Sequence, residues 1–161
     1  MIPADALHET WETMERKSLH LAELIRESGQ TFDALVTLPR GGYFPALVVA
    51  RMLGFGAPDM LQACIGSYED DKDRRGAFQR GQMPRPEDIR GKHLLVIDDV
   101  CDTGHTLEYV CEFLQKAGAA SVKSGTIHYK PGRSQTPFKP DWFVEQTEKW
   151  IVYPWEYDEG A

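Results

Sequence analysis

The stretch His93-Leu94-Leu95-Val96-Ile97-Asp98-Asp99-Val100-Cys101-Asp102-Thr103-Gly104-His105-Thr106 decides the fold. Leu94 to Ile97 is a continuous apolar run, which reads as a strand buried on both faces. The strand closes on two carboxylates. A third acid follows, and then a hydroxyl-and-glycine turn opens a helix. That order gathers acid groups and free backbone N–H donors at one sheet edge. Such an edge can hold a sugar diol, a divalent cation and a phosphate together.

Working outward, Asp33 to Leu38 is a β-rich run, Arg40-Gly41-Gly42 a turn, and Tyr43 to Leu53 a helix closed by Gly54. Met60 to Tyr68 predicts a second strand. His93 to Asp99 is the third. The spacing of Leu107, Val110, Leu114 and Ala117 predicts a helix over His105–Lys116, with Gly118 as its cap. Val122 to Tyr129 predicts a fourth strand and Trp142 to Glu145 a short fifth. Near the start, Leu7, Trp11, Met14, Ser18, Leu21 and Leu24/Ile25 share one helical face that Gly29 terminates. Strands alternating with helices imply an α/β fold, a mostly parallel sheet flanked by helices, with ligands at the carboxyl ends of its strands. Residues 69–90, dense in Asp, Arg, Gln, Gly and Pro, read as an exposed mobile loop. No repeat or linker divides the chain, so 1–161 reads as one domain.

The formal net charge is -7, which excludes a general basic face for nucleic acid. An anionic substrate would need local Arg or Lys, backbone N–H groups or a metal ion. No apolar run reaches membrane-spanning length, and Met1 to Ala6 lacks the basic and apolar regions of a secretory signal. Cys64, Cys101 and Cys111 are odd in number and have no CxxC spacing, so a reducing cytoplasm is expected. Acidic neighbours make Cys101 a poor nucleophile. The histidines show no metal-ligand spacing, so His128, like His8, His20 and His93, is expected to be structural.

Side chains of adjacent strand residues point to opposite faces, so Asp98 and Asp99 are expected to divide their work. One can accept from a ribose diol and the other can order the turn or a hydrated Mg²⁺, which prefers oxygen ligands. Gly104 permits close backbone approach, Thr103 and Thr106 add hydroxyls, and the helix start at His105 offers N–H groups to an anion. A plain Asp/Thr helix cap after a buried strand is the structural alternative, but three acids and TGHT exceed what a cap needs. There is no GxGxxG and no GK[ST], and a phosphatase-type DxD does not fit this strand end, because Val100 and Cys101 occupy the positions two beyond Asp98 and Asp99.

Asp98 to Thr106 resembles the 5-phosphoribosyl 1-diphosphate (PRPP) signature of the type I phosphoribosyltransferases, two acids, two residues, then D-T-G-x-T. The resemblance runs from about Asp33 onward. It implies that family's fold, with a small C-terminal hood over the site, here residues 130–157. It implies PRPP contacts from Asp98, Asp99, Asp102, Thr103, Gly104, His105 and Thr106. It also implies a diphosphate loop at Arg40 and Gly41, and a closing loop that begins at Ser67 and Tyr68 and carries Arg74, Arg75 and Arg80. The family often has a cis peptide in the diphosphate loop, but Pro39 before Arg40 argues here for a trans bond, since cis at a non-proline residue costs about 2.5–4 kcal/mol.

His128 to Pro131 and Trp150 to Glu156 are similar to the purine end of the short 6-oxopurine enzymes. There Lys130 would reach the purine O6, Trp150 would stack on the ring, Ile151 would read its edge through main-chain groups, and Glu156 would lie near the 2-substituent. A lysine donates and cannot accept, so it rejects a 6-amino group. The activity so implied is transfer of the phosphoribosyl group to a 6-oxopurine, with Mg²⁺ as cofactor, Asp98 and Asp99 at the metal, Asp102 as general base, and a homo-oligomer, dimer or tetramer. Two alternatives stay open: a PRPP or nucleotide sensor without turnover, and an enzyme for another base.

Overall fold

The computed structural model describes residues 2–67 and 78–156. In chain order they form β1 (Leu7–His8), α1 (Trp11–Glu27), β2 (Ala34–Thr37), α2 (Tyr43–Leu53), β3 (Met60–Gln62), β4 (Ile65–Ser67) and β5 (Phe78–Arg80). Then come α3 (Pro86–Ile89), β6 (His93–Cys101), α4 (His105–Lys116), β7 (Ser121–Tyr129), β8 (Trp142–Gln146) and β9 (Ile151–Val152). Five strands make one parallel sheet in the order β3-β2-β6-β7-β8, as the alternation of strands and helices implied.

Period-two alternation builds both faces of this sheet. Leu35, Leu95 and Ile97 point to a core shared with Met14, Leu21 and Ile25 of α1 and with Ala46 and Val49 of α2. Ala34, Val36, Leu94 and Val96 point to the other core, closed by Leu107, Val110 and Leu114 of α4 and by Ile89. Burying each large aliphatic side chain contributes about 1.5–3 kcal/mol, so the unbroken run Leu94 to Ile97 anchors two cores at once.

The chain departs from the sequence reading in four places. Leu7 belongs to a strand, not to the first helix. Thr10 caps α1: its Oγ1 accepts from the Thr13 N–H at 3.1 Å, while Thr13 Oγ1 accepts from the Thr10 N–H at 2.8 Å. That capping box starts the helix at Trp11, which is half exposed beside Phe44 and Trp155. The strand expected over Met60–Tyr68 breaks after β3. The Cys64 N–H donates to Gln82 O and the Gly81 N–H to Cys64 O, which turns β4 away to pair antiparallel with β5. The excursion expected over 69–90 contains β5 and the short α3, with irregular chain over 81–85 between them, and Ile89 of α3 is fully buried. Residues 68–77, with Tyr68, Arg74 and Arg75, lie outside the described residues. Finally, the C-terminal region is not all hood: β8 joins the main sheet, and only β9 leaves it to pair in parallel with β1.

Candidate active site

The site lies where β2, β6 and β7 end. Ile97 belongs to the α1/α2 core and half-buried Val100 packs against it, while β6 stays in unbroken register with β7 through Asp98, Val100 and Cys101. The two carboxyls are neighbours at this strand end. They hydrogen-bond to each other, and Asp98 Oδ1 also accepts from the Asp99 N–H at 2.9 Å. Burial, and then the charge of Asp99, push the Asp98 carboxyl well above the usual carboxylate range. Burial raises Asp99 to about 6, its hydrogen bond to Asp98 pulls it back, and the charge of Glu156 adds to the rise. Among the described residues no Lys or Arg forms an ion pair with either. Two carboxyls this buried, with no cation between them, are an all-oxygen donor set that a hydrated Mg²⁺ would fit.

The loop after β2 packs directly on this pair. A Cβ added at Gly41 would lie 2.0 Å from Asp99 Oδ2, so only glycine lets the loop approach the acid. The Gly42 N–H donates to Leu38 O at 2.9 Å and the Tyr43 N–H to Arg40 O at 3.2 Å, folding the loop back within a few residues. The Pro39–Arg40 peptide is cis, which corrects the trans expectation: this short closure overrides what Pro39 suggested. Arg40 is exposed beside the acid pair's loop.

On the other side of the acids, α4 starts at Gly104 with φ +89°, a left-handed conformation open to glycine, and without a side-chain cap. A Cβ there would also meet Thr136 Oγ1 at 2.7 Å. The N–H groups of His105, Thr106 and Leu107 thus open the helix with no side chain accepting from them, an arrangement suited to a phosphate. Thr103 O accepts from the Gln135 N–H at 2.9 Å, and His105 Nε2 lies 3.3 Å from Gln135 Oε1, so the segment after β7 braces this turn.

Asp102 is held from the same segment. Arg133 Nε donates to its Oδ1 at 2.5 Å, and Lys130 Nζ lies 3.5 Å from its Oδ2. Arg133 was not singled out from the sequence, where a lone arginine after Lys130-Pro131-Gly132 reads as surface charge. Lys130 is only 5 % exposed, and this long contact is its one ion pair among the described residues. A buried ammonium so thinly paired suits an incoming acceptor.

Trp150, by contrast, is 56 % exposed and presents an open indole face. The Leu7 N–H donates to Trp150 O and the Glu9 N–H to Val152 O, at 2.8 and 2.9 Å. By the alternation of a parallel ladder, the N–H and C=O of Ile151 between them point away from β1. Tyr153 stacks on Trp155 at 4.8 Å, and its N–H donates to Glu156 Oε2 at 3.2 Å. Glu156 thus closes its own turn, with its charge felt at Asp99. Ser67 ends β4, and the side chains of Ser67 and Arg80 are outside the described residues, as are Tyr68 and Tyr157. Burial first, then the charges of Asp98 and Asp102, push the Cys101 thiol up to about 12, so it stays protonated as expected.

The fold and this site are those of a phosphoribosyltransferase. The phosphoribosyl transferase domain model matches residues 5–159, and the chain belongs to that family. It is 32 % identical over 148 residues to the xanthine-guanine phosphoribosyltransferase of Desulfotalea psychrophila, covering 91 % of this chain and 84 % of the relative. Among solved structures, a purine phosphoribosyltransferase from Pyrococcus horikoshii superposes with a TM-score of 0.75 at 31 % identity, covering 98 % of this chain and 97 % of the other. A xanthine-guanine-hypoxanthine phosphoribosyltransferase from Helicobacter pylori gives 0.79 at 25 % identity, with 94 % of each chain covered. A hypothetical protein from Neisseria gonorrhoeae with bound ppGpp gives 0.81 at 25 % identity, covering 98 % and 93 %.

Proposed function

We propose that this protein is a purine phosphoribosyltransferase that moves the 5-phosphoribosyl group of PRPP onto a 6-oxopurine and releases diphosphate, in purine salvage. The observation that carries the reading is one sheet edge where an unpaired acid pair, an uncapped helix start and a buried, thinly paired lysine meet. Each is a half-made interaction, and together they match a ribose diol, a 5′-phosphate and a purine carbonyl. The relatives named for purine, and for xanthine and guanine, support the same reading.

In this reading Asp98 and Asp99 accept from the ribose hydroxyls and would hold Mg²⁺, directly or through water. Bound there, the ion would neutralise charge building on the departing diphosphate. Thr103, Thr106 and the N–H groups opening α4 take the 5′-phosphate. Arg40 and the N–H groups at Gly41 face the diphosphate, and Ser67 and Tyr68 begin the loop that excludes water from the reacting carbon. The purine lies against Trp150 with Ile151 main-chain groups on its edge, Lys130 on O6 and Glu156 toward the 2-substituent. Transfer breaks the bond from ribose C1 to diphosphate and forms one to a ring nitrogen, whose proton Asp102 takes. For that, Asp102 must trade part of its bond to Arg133 for the substrate.

The chain is read as one domain acting in the cytoplasm as a homo-oligomer. Among the described residues no helix is long and apolar enough to cross a membrane. The three cysteines are free, as in a reducing compartment. Tyr43 and Leu47, exposed four apart on α2, offer an apolar patch for a second copy.

The test is an assay with Mg²⁺ and PRPP, offering xanthine, guanine, hypoxanthine and adenine in turn. Diphosphate and nucleotide are expected with 6-oxopurines and not with adenine. PRPP binding without diphosphate release from any base would select the sensor reading, which the ppGpp-bound neighbour favours.

A further inference from the structure

A second polar cluster lies outside the chemistry just described. His128 is fully buried at the end of β7. Its Nδ1 is 2.9 Å from the Tyr153 hydroxyl and its Nε2 is 3.1 Å from Glu9 Oε1. Lys17 Nζ also lies 3.2 Å from Nε2, but it donates to Glu9 and Glu145 at 2.5 and 2.6 Å. Glu9, His128 and Glu145 would suit a metal ion by type and spacing, yet the Lys17 ammonium already supplies the positive charge there.

Two proton orders fit these distances, and the two carboxylates that hold Lys17 favour one of them. With Lys17 engaged by two carboxylates, Glu9 Oε1 is left to accept from His128 Nε2–H. Nδ1 is then an acceptor, and the Tyr153 hydroxyl donates to it. Burial, helped by the charges of Asp99 and Asp98, keeps the Tyr153 phenol protonated, well above its ordinary range. In this order the hydroxyl proton goes to Nδ1 and not to the main-chain oxygen of Asp99, 3.5 Å away, to which the hydroxyl donates in the other order. A line of contacts therefore runs from the residue after β1, through His128, to the residue after β9 and on to the acid pair.

We infer that Glu9, His128 and Tyr153 form a buried positioning relay that sets the height of the Trp150–Ile151 base platform above Asp98-Asp99. Two ties then hold β9: the short ladder to β1 on one side and this relay on the other. The first residues of the chain thus take part in base binding without touching the base. The inference rests on the purine reading of Trp150 and Ile151.

Tyr153→Phe removes the hydroxyl and keeps the ring stacked on Trp155. The expected result is a rise of about 10-fold in purine KM, the equivalent of one hydrogen bond, with PRPP KM unchanged. Glu9→Ala should act alike, and Glu9→Gln should recover most of that loss, because its amide oxygen still accepts from Nε2–H. In ¹⁵N spectra at neutral pH, His128 should be the Nε2–H tautomer, with Nδ1 shifted in Tyr153→Phe. An unchanged purine KM in Tyr153→Phe, or both substrates' KM rising together, overturns the relay. So does a His128 protonated on Nδ1. If wild type turns over no purine, the purine reading fails by itself, and the ¹⁵N spectra still decide whether the proton order of the relay holds.

Discussion

Two buried ionisable clusters sit on either side of the same strand ends, and they are built oppositely. Around His128 each group has a partner: Glu9 has Lys17, Thr13 and the imidazole, and Lys17 has Glu9 and Glu145. Burial alone would raise the Glu9 carboxyl, but the bonds from Lys17 and Thr13 outweigh it and hold Glu9 below its ordinary value. Among the described residues the partners at Asp98-Asp99 are only each other and nearby N–H groups, and both carboxyls rise. The helix starts repeat the contrast. Thr10 caps α1 beside Glu9 of the His128 cluster, whereas α2 and α4 begin at the acid pair without a side-chain cap. Where the fold needs a polar group for stability it completes the bonding; where a ligand is to bind it leaves the bonding open.

Asp102 belongs to neither pattern, and it is where the contrast is easiest to break. It stands in the acidic motif yet is paired, with Arg133 and Lys130. Asp102→Asn should lower kcat by about 10²–10⁴-fold if this carboxylate takes the purine proton. Stability should barely move, since Asp102 is about a third exposed and Arg133 more so, and such pairs contribute little. Near-normal single-turnover rates would remove Asp102 from the role and place it with the structural pairs.

Asp99→Asn sharpens the comparison. The folded carboxyl titrates near 6 and an unfolded one near 3.8. Between those values the native state holds a proton that the unfolded chain does not, so this group's contribution to stability is present at low pH and lost as pH rises through 6. At pH 7.5 the full cost is in place, and an amide, which never ionises, escapes it. In metal-free buffer the variant should be more stable to urea by up to about 3 kcal/mol, while PRPP binding falls. A variant less stable than wild type at pH 7.5 would mean that the acid pair is satisfied after all.

The parts of this arrangement legible in sequence were the local ones. Leu94 to Ile97 announced a two-sided core, and Asp98 to Thr106 announced the edge and its helix, because each is read within a dozen residues. Pairing across the chain was not legible. A two-residue strand such as β1 has no period to detect, and its partner β9 lies at the far end of the molecule. His128 was expected to be structural, and its burial fits that. Its partners Glu9 and Lys17 lie 119 and 111 positions away, so nothing near it in sequence betrayed the network. The close seat of Gly41 against Asp99 was hidden for another reason: it joins the loop after β2 to the end of β6, and adjacent acids alone do not reveal it.

The smallest effect concerns both clusters together. Burial, and then the charge of Lys17, lower the His128 imidazole to about 4 from 6.5, against the pull of Glu9. Below pH 6.5 the unfolded chain therefore takes up a proton that the native state refuses, so this group's contribution to stability is lost as pH falls toward 4. From pH 7.5 to 5 that loss is about 2 kcal/mol. Asp99 gains over the same interval, because its shift has the opposite sign, and Asp98, raised as well, gains with it. Asp99→Asn, with one of these gains removed, should thus lose more stability across the interval than wild type does. Urea midpoints at the two pH values, in metal-free buffer, measure the difference. Parallel profiles for the two proteins would show that Asp99 takes up no proton in this interval, and the opposition between the two clusters would then fail at Asp99.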